Sequence, residues 1–149
     1  MSYCTIVVGT DGSTTSHHAV SRAAEIARDA AAKLVIVSAY TPTSRGEVEV
    51  AADALGDESF LVRGSTPAEE SLRAASDVAA GAGAQDIVTQ AVDGAPVDVL
   101  CKAVGEHNAD LLVVGNRGLN SVSGRLLGSV PSAVARTAGS DVLIVHTTG

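Results

Sequence analysis

Short apolar runs alternate along the chain with longer alanine-rich stretches, and each kind of segment predicts a different element. Five runs of mostly β-branched residues predict strands, because strands buried on both faces are apolar nearly throughout. Strands that alternate with helical stretches are typical of parallel βαβ units, so the pattern predicts an α/β fold with five strands and four helices. The predicted strands are TIVVG (Thr5 to Gly9), LVIVSAY (Leu34 to Tyr40), DIVTQA (Asp86 to Ala91), DLLVVG (Asp110 to Gly115) and DVLIVH (Asp141 to His146).

Periodicity and capping residues set the predicted helix starts. The first helix is expected to begin near Ser13 or Thr14, where alanines and a valine start to recur at helical spacing. The segment Thr66-Pro67-Ala68-Glu69 reads as a capping box that opens the second helix. The third helix starts near Pro96 and places Cys101 on its apolar face, which makes that cysteine a core residue rather than a reactive one.

The length of 149 residues fits a single domain spanning 1–149. Residues Thr41 to Gly64 have no sustained period and predict an irregular excursion with a short extra element around Glu47 to Leu55. The two cysteines lack C-x-x-C spacing, which argues against a zinc site or a redox dithiol. No stretch approaches the roughly 18 apolar residues of a membrane span, and the N-terminal segment has no basic leader, so we expect a cytoplasmic protein with no membrane partner.

The net charge of -7 changes the list of expected partners. DNA, RNA and anionic lipid would be repelled by the mean field of such a chain. The composition includes only two tyrosines and one phenylalanine, too few for the stacked aromatics of a single-strand binder. We therefore expect no nucleic-acid partner, while a small anion in one local site stays compatible with the charge.

The segment GNRGLNSVSGRLLGS, which follows the fourth predicted strand, is a candidate phosphate-binding loop. In a doubly wound sheet, ligands bind outside the carboxyl ends of the strands, and glycines allow backbone N–H groups to converge on an anion. Pro131 predicts a fourth helix capped near Ser129, so a helix N-terminus would face the same anion. Arg117 and Arg125 offer charge-assisted hydrogen bonds. The spacing G-x2-G-x9-G-S is formed by Gly115, Gly118, Gly128 and Ser129.

Two limits apply to this loop. It is neither a Walker loop, since it contains no lysine, nor a G-x-G-x-x-G segment, and a glycine-rich stretch is also found as a plain turn.

The loop Thr10-Asp11-Gly12-Ser13, after the first strand, supplies the second candidate group of ligand-binding residues. A carboxylate is unsuited to phosphate but accepts hydrogen bonds from ribose hydroxyls, so Asp11 is expected either to bind ribose or to cap the first helix.

The chain resembles the universal stress protein family in its ATP-binding subclass, in particular small single-domain actinobacterial members. The resemblance rests on G-x2-G-x9-G-S, on the early VGTDGS segment and on the terminal VLIVH, and it spans nearly the whole chain. It implies a three-layer, Rossmann-like, five-stranded parallel sheet in the order 3-2-1-4-5. It also implies homodimers joined through the last strand, here Asp141 to Thr147.

The resemblance further implies a role for each matching position. Asp11 would contact ribose, with Gly9 and Thr10 beside it, and Ala39 and Val114 would touch adenine. Ala39 is smaller than the valine expected there. The positions that would surround the phosphates are Gly115, Gly118, Gly128, Ser129 and Val130. Arg117 stands at a position that varies within the family, and Arg125 is expected either to bind phosphate or to pair with an acidic neighbour in the dimer.

Three functions follow from these expectations. The first is a stress-response regulator that binds ATP, with or without Mg²⁺; the second takes cyclic AMP in the same site, as some actinobacterial relatives do; the third is a slow ATPase. No nucleophile-base pair and no metal-ligand spacing among the four histidines is found, so no catalytic residue and no metal site are predicted. A phosphorylation receiver is disfavoured because DIVTQA does not end in aspartate. A flavin carrier has only the fold in its favour.

Overall fold

A computed structural model of the protein describes residues 3–41, 62–63, 65–115 and 139–146. Within these ranges strands and helices alternate, as the apolar pattern predicts. The strands are β1 (Thr5–Gly9), β2 (Lys33–Thr41), β3 (Val62–Arg63), β4 (Asp86–Asp93), β5 (Leu111–Gly115) and β6 (Asp141–Val145), and the helices are α1 (Thr14–Ala30), α2 (Ser65–Gly81) and α3 (Pro96–His107).

Five strands form a parallel sheet in the spatial order β4-β2-β1-β5-β6. Counted in chain order, these five strands stand as 3-2-1-4-5, so the predicted α/β architecture and strand order are confirmed. The sixth strand, β3, was not predicted. Among the described residues it pairs with Tyr40 and Thr41 at the end of β2, and a strand of two residues is too short to show a period in the sequence.

The described helices cover both faces of the sheet. Residues of α1 and α2 pack with Ile6, Val8 and Ile36 in one apolar cluster, and residues of α3 pack with Val7 and Val35 in the other. Because β1 and β2 contribute alternate residues to the two clusters, both of their faces are buried, which explains their nearly continuous apolar sequences. The predicted fourth helix and the predicted element around Glu47 to Leu55 lie outside the described residues.

The helix starts agree with prediction at two of the three helices. Ser13 caps α1, and its side-chain oxygen accepts a hydrogen bond from the backbone N–H of Ser16 at 3.1 Å. Pro96 is the first residue of α3, as expected. The predicted capping box of the second helix is wrong: α2 already begins at Ser65, so Thr66 lies inside the helix instead of capping it.

Asp110 joins the amino ends of β1 and β5. Its carboxylate accepts hydrogen bonds from the backbone N–H groups of Cys4, at 3.0 and 3.2 Å, and Thr5, at 3.0 Å. Partial burial raises the pKa of this carboxyl, but the backbone donors of Cys4, Thr5 and Asp110 outweigh it and hold the pKa below its ordinary value of 3.8. The charged form is therefore favoured in the folded state.

We expect Asp110→Ala to lower the free energy of unfolding at neutral pH by about 1 kcal/mol, because two backbone donors lose their acceptor. The folded pKa is lowered, so the stabilisation is present above the unfolded pKa and is lost as pH falls through the folded one. Urea unfolding from pH 7 to pH 3 should show the two proteins converging below about pH 4. The control is Asp77→Ala on the exposed surface of α2. An equal loss of stability in that variant would contradict a stabilising role for the Asp110 carboxylate.

Candidate functional site

The strand order reverses beside β1, which lies between β2 and β5. The chain leaves β1 toward β2 over the face covered by α1, whereas the connection that reaches β5 carries α3 on the opposite face. Crossovers that diverge in this way leave a crevice at the carboxyl ends of the two neighbouring strands, and ligands of doubly wound sheets bind there.

The strand registers define the walls of this crevice. Gly9, the last residue of β1, is opposite Val37, and β2 continues beyond that point to Thr41. Ala39 therefore lies past the end of β1. On the other side, Val113 of β5 is opposite Val8, so Gly115, two residues further on, is level with Thr10. The loop after β1 and the start of the segment after β5 thus meet at one edge of the sheet.

Thr10 anchors the loop between β1 and α1. Its side chain is fully buried, and its backbone N–H donates to the carbonyl of Val37 at 3.0 Å. Its hydroxyl lies 2.9 Å from the hydroxyl of Ser16 and accepts the N–H of Gly12 at 3.1 Å. These bonds tie the loop to both β2 and α1, so the residue between Thr10 and Gly12 is held in one place.

That residue is Asp11, which is half-buried. Its Oδ1 accepts the backbone N–H of Ser13 at 2.9 Å, the geometry of an Asx turn. Among the described residues no donor is bonded to the second carboxylate oxygen, Oδ2. The carboxylate is therefore oriented by one oxygen and offers the other as an acceptor, which is what a ribose hydroxyl requires.

Gly12 completes the turn with a backbone conformation that favours glycine. Its φ is +85°, in the left-handed region where a Cβ atom is unfavourable. A Cβ built on Gly12 would also lie 2.6 Å from Oγ of Ser71 on α2. The loop therefore contacts the second helix directly, and a larger residue at either position would disturb it.

The structure brings together those predicted site residues that it describes. Asp11 and Gly115 are half-buried at the crevice, and Gly9 and Thr10 are buried beneath it. Ala39 and Val114 are 0% and 4% exposed and share the cluster on the α3 face, so their strand ends, rather than open side chains, border the crevice. Outside the described residues lie Arg117, Gly118, Arg125, Gly128, Ser129 and Val130.

Three serines matter to this region and were not predicted as site residues. Ser16 bonds with Thr10, Ser71 contacts Gly12, and Ser38 is fully buried with no hydrogen-bond partner for Oγ among the described residues. Ser16 had a signal in the sequence, since it stands three residues after the N-cap. Ser71 had none, because its contact depends on how α2 packs beside α1.

Ser38 and Ser16 give opposite predictions for the same change. Ser38→Ala removes a buried hydroxyl without a partner, so the free energy of unfolding should stay the same or rise by up to about 1 kcal/mol. Ser16→Ala removes the bond with Thr10 and the bond that the Ser16 hydroxyl donates to the Ser13 carbonyl at 2.8 Å, and it should lower the free energy of unfolding by about 1–2 kcal/mol. Thermal and urea unfolding measure both; a larger loss for Ser38→Ala than for Ser16→Ala would contradict this reading.

Within the described ranges, we find no metal-binding cluster and no cysteine or histidine that adds to the crevice. In the described part of the chain, no group of three His, Cys, Asp or Glu residues could hold a metal ion. Cys101 is partly buried against the α3-face cluster, as its helical position predicted. Nε2 of His107 lies 3.0 Å from Oε1 of Gln90, so this histidine joins α3 to β4. None of the described helices is long and apolar enough to cross a bilayer.

The sheet order, the reversal beside β1 and the anchored Asp11 loop define a doubly wound α/β protein with a ligand crevice at its switch point. The sequence model of the universal stress protein family matches residues 2–146. The chain therefore belongs to the universal stress protein family, as its motifs indicated.

Individual relatives agree with this assignment. A universal stress protein of Mycobacterium tuberculosis is 55% identical over 146 residues, which cover 98% of each chain. A universal stress protein crystallised in complex with cAMP is 47% identical, with a TM-score of 0.77 over 99% of this chain and 100% of that one. UspA from Lactobacillus plantarum, 23% identical with a TM-score of 0.76 over 97% and 99% of the two chains, supports the fold alone.

Proposed function

We propose that this protein is an adenine-nucleotide-binding regulator of the stress response, built as one domain over residues 1–149. The observation that carries the proposal is the position of Asp11 and Gly115 at adjoining strand ends. Asp11 presents a carboxylate oxygen for ribose, and Gly115 begins the glycine-rich segment suited to phosphate. A nucleotide needs both kinds of contact, and the strand registers that bring the two loops to one edge of the sheet support this combination.

Each proposed contact has a physical reason. Oδ2 of Asp11 accepts a ribose hydroxyl, while Gly9 and Thr10 fix the loop behind it. The adenine ring lies against the strand ends at Ala39 and Val114. The phosphates take N–H donors from the segment that runs from Gly115 through Gly118 to Gly128, Ser129 and Val130, with Arg117 and Arg125 as charge-assisted donors.

Two ligands are compatible with these contacts. The G-x2-G-x9-G-S segment is suited to the phosphates of ATP, with or without Mg²⁺, by the family pattern described above. Cyclic AMP is favoured as the second candidate because the relative that is 47% identical was crystallised with it. A cyclic monophosphate offers fewer anionic oxygens but leaves the 2′-hydroxyl free for Asp11, so the same site accepts either ligand.

Equilibrium dialysis with cyclic AMP and with Mg-ATP tests the proposal on protein unfolded and refolded to remove retained nucleotide. Gly128→Leu places a bulky side chain where we expect backbone to approach phosphate, and it should abolish binding of whichever nucleotide the wild type retains. The matched control is Gly105→Leu on α3, where a Cβ atom would meet nothing within 4 Å. Equal binding by the wild type and by Gly128→Leu would remove the phosphate role from the loop.

The bound nucleotide is expected to act as a signal rather than as a substrate. Neither candidate loop carries a general base poised for water or a lysine for the γ-phosphate. We therefore expect at most slow ATP hydrolysis. A turnover above a few per minute in contaminant-free protein, lost in Gly128→Leu, would favour an ATPase over a nucleotide-binding regulator.

The proposal includes a homodimer joined through the last strand. Among the described strands β6 is an edge that pairs only with β5, and its residues Val142, Leu143 and Ile144 are partly exposed. An apolar edge strand is a template for pairing with another chain. Sedimentation equilibrium should give a dimer for the wild type and a monomer for Leu143→Lys; a wild-type monomer at micromolar concentration would exclude this interface.

A further inference from the structure

The contact between Gly12 and Ser71 joins the proposed ribose loop to α2, a helix that supplies none of the residues expected to touch the nucleotide. The position of a Cβ atom on Gly12 lies 2.6 Å from Oγ and 3.2 Å from Cβ of Ser71. The serine side chain is therefore packed against the loop at the residue that follows Asp11. No space is left between them for another heavy atom.

Helix α2 is the more firmly held of the two partners. Four of its side chains are buried, Ala68, Leu72, Ala75 and Ala79, and the last three belong to the apolar cluster that includes Ile6, Val8 and Ile36. At its far end, the guanidinium of Arg28 on α1 donates to the carbonyl of Ala82 at 3.4 Å. Displacing the helix would open the core, which costs several kcal/mol.

The middle of the loop from Thr10 to Ser13 is held less firmly, because among the described residues Asp11 and Gly12 have no hydrogen bond to a residue outside the loop. The N–H groups of Gly12 and Ser13 donate within the loop, to Thr10 and Asp11. The bonds to the rest of the protein lie at its two ends: Thr10 bonds with Val37 and Ser16, and Ser13 bonds with Thr15, Ser16 and His17. Each such bond contributes about 1 kcal/mol net. A larger side chain at Ser71 would therefore move the loop, and Asp11 with it, before it moved α2.

We propose that Ser71 is a positioning residue of the nucleotide site: it sets how far Gly12 extends toward α2 and thereby fixes the Asp11 carboxylate against ribose. This inference rests on the proposed ribose role of Asp11. It gives α2 a part in the site that the sequence of this helix does not indicate. The size of the side chain at position 71 then determines how well ribose is recognised.

The test compares Ser71→Leu with Ser76→Leu. Both serines lie on α2 and are partly buried, but Ser76 is on the flank that faces Thr89 of β4, away from Gly12. Calorimetric affinities are measured for cyclic AMP and ATP and for their 2′-deoxy forms. The wild type should prefer the ribose form of its ligand by about tenfold. Ser71→Leu should bind that form about tenfold more weakly and lose the preference, whereas Ser76→Leu should keep both.

Two further variants keep the test decisive. Ser71→Ala is smaller than the wild-type residue and should retain the ribose preference, which separates the effect of size from loss of the hydroxyl. Ser71→Thr repeats the test with one added methyl group if the leucine variant does not fold, as judged by circular dichroism. A merely structural role would change the melting temperature without changing the ratio of ribose to deoxyribose affinities.

The outcomes distinguish this inference from the proposed function. If the wild type binds none of the four nucleotides, the proposed function fails and the role of Ser71 falls with it. If the wild type binds and prefers ribose, but folded Ser71→Leu or Ser71→Thr keeps the same preference, the positioning role alone is overturned. Binding without any ribose preference in the wild type also overturns it, because Asp11 would then not recognise the 2′-hydroxyl.

Discussion

Alanine in place of Gly12 should destabilise the protein by about 2 kcal/mol and weaken nucleotide binding at least roughly tenfold. Two causes act together. The backbone φ of +85° is unfavourable for a residue with a Cβ atom, and that atom would lie 2.6 Å from Oγ of Ser71. Rotation of the Ser71 hydroxyl relieves the contact with Oγ, but the positive φ and the contact with Cβ of Ser71 at 3.2 Å remain, so the loop must change the conformation that orients Asp11. Urea unfolding measures the change in the free energy of unfolding, and calorimetry with cyclic AMP and ATP measures the change in nucleotide affinity.

Gly83→Ala is the matched control for this prediction. Gly83 also has a positive φ, +106°, and a Cβ atom there would lie 2.6 Å from Cδ of Arg28. It follows the last turn of α2, at the opposite end of the sheet from the crevice. We expect Gly83→Ala to lose stability while its nucleotide affinity stays at the wild-type value. Unchanged affinity in Gly12→Ala, or an equal loss in both variants, would contradict the role given to the loop.

Asp11→Ala should weaken binding of the ribonucleotide about 10- to 100-fold, since a charge-assisted hydrogen bond contributes about 1.5–3 kcal/mol. The stability change should be small, because the carboxylate makes only the hydrogen bond from Ser13 among the described residues. Affinities for ATP, cyclic AMP and their 2′-deoxy forms, measured by calorimetry, check the prediction.

The deoxy ligands identify which group Asp11 contacts. Asp11→Ala should bind ribose and 2′-deoxyribose forms equally, if the lost partner is the 2′-hydroxyl. Asp93→Ala is the control, because Asp93 is an exposed carboxylate at the end of β4, on the same edge of the sheet. An equal loss of affinity in Asp93→Ala would mean that net charge, rather than a specific contact, controls binding.

The main strands could be predicted because burial on both faces leaves a continuous apolar signal. Leu111–Gly115 is an example, since its first four residues are buried and apolar. The ends of β2 and β4 were less predictable. β4 continues to Asp93, beyond its predicted end at Ala91, and Asp93 is paired with Tyr40 of β2 although it is charged. There the backbone ladder continues after the hydrophobic signal has ended.

The candidate site was predictable in part, for the same physical reason. Gly115 ends one apolar strand and Asp11 stands two residues after another, so a parallel sheet must place them at one edge. The capping box at Thr66 was misread because a local motif does not fix the start of a helix to the residue, and α2 begins one residue earlier, at Ser65. The contact between Ser71 and Gly12 left no signal, because it depends on the lateral packing of α1 against α2 and not on any local sequence pattern.

The most direct test of the central claim is a calorimetric titration of nucleotide-free wild-type protein, first with cyclic AMP and then with Mg-ATP. The crevice beside β1 predicts one site per chain, with a Kd at or below about 1 µM for at least one of the two, roughly -8 kcal/mol of binding free energy. Prior saturation with the tighter ligand should eliminate the heat of the other. The absence of heat with both ligands in folded protein would contradict the account and place this chain among universal stress proteins that bind no adenine nucleotide.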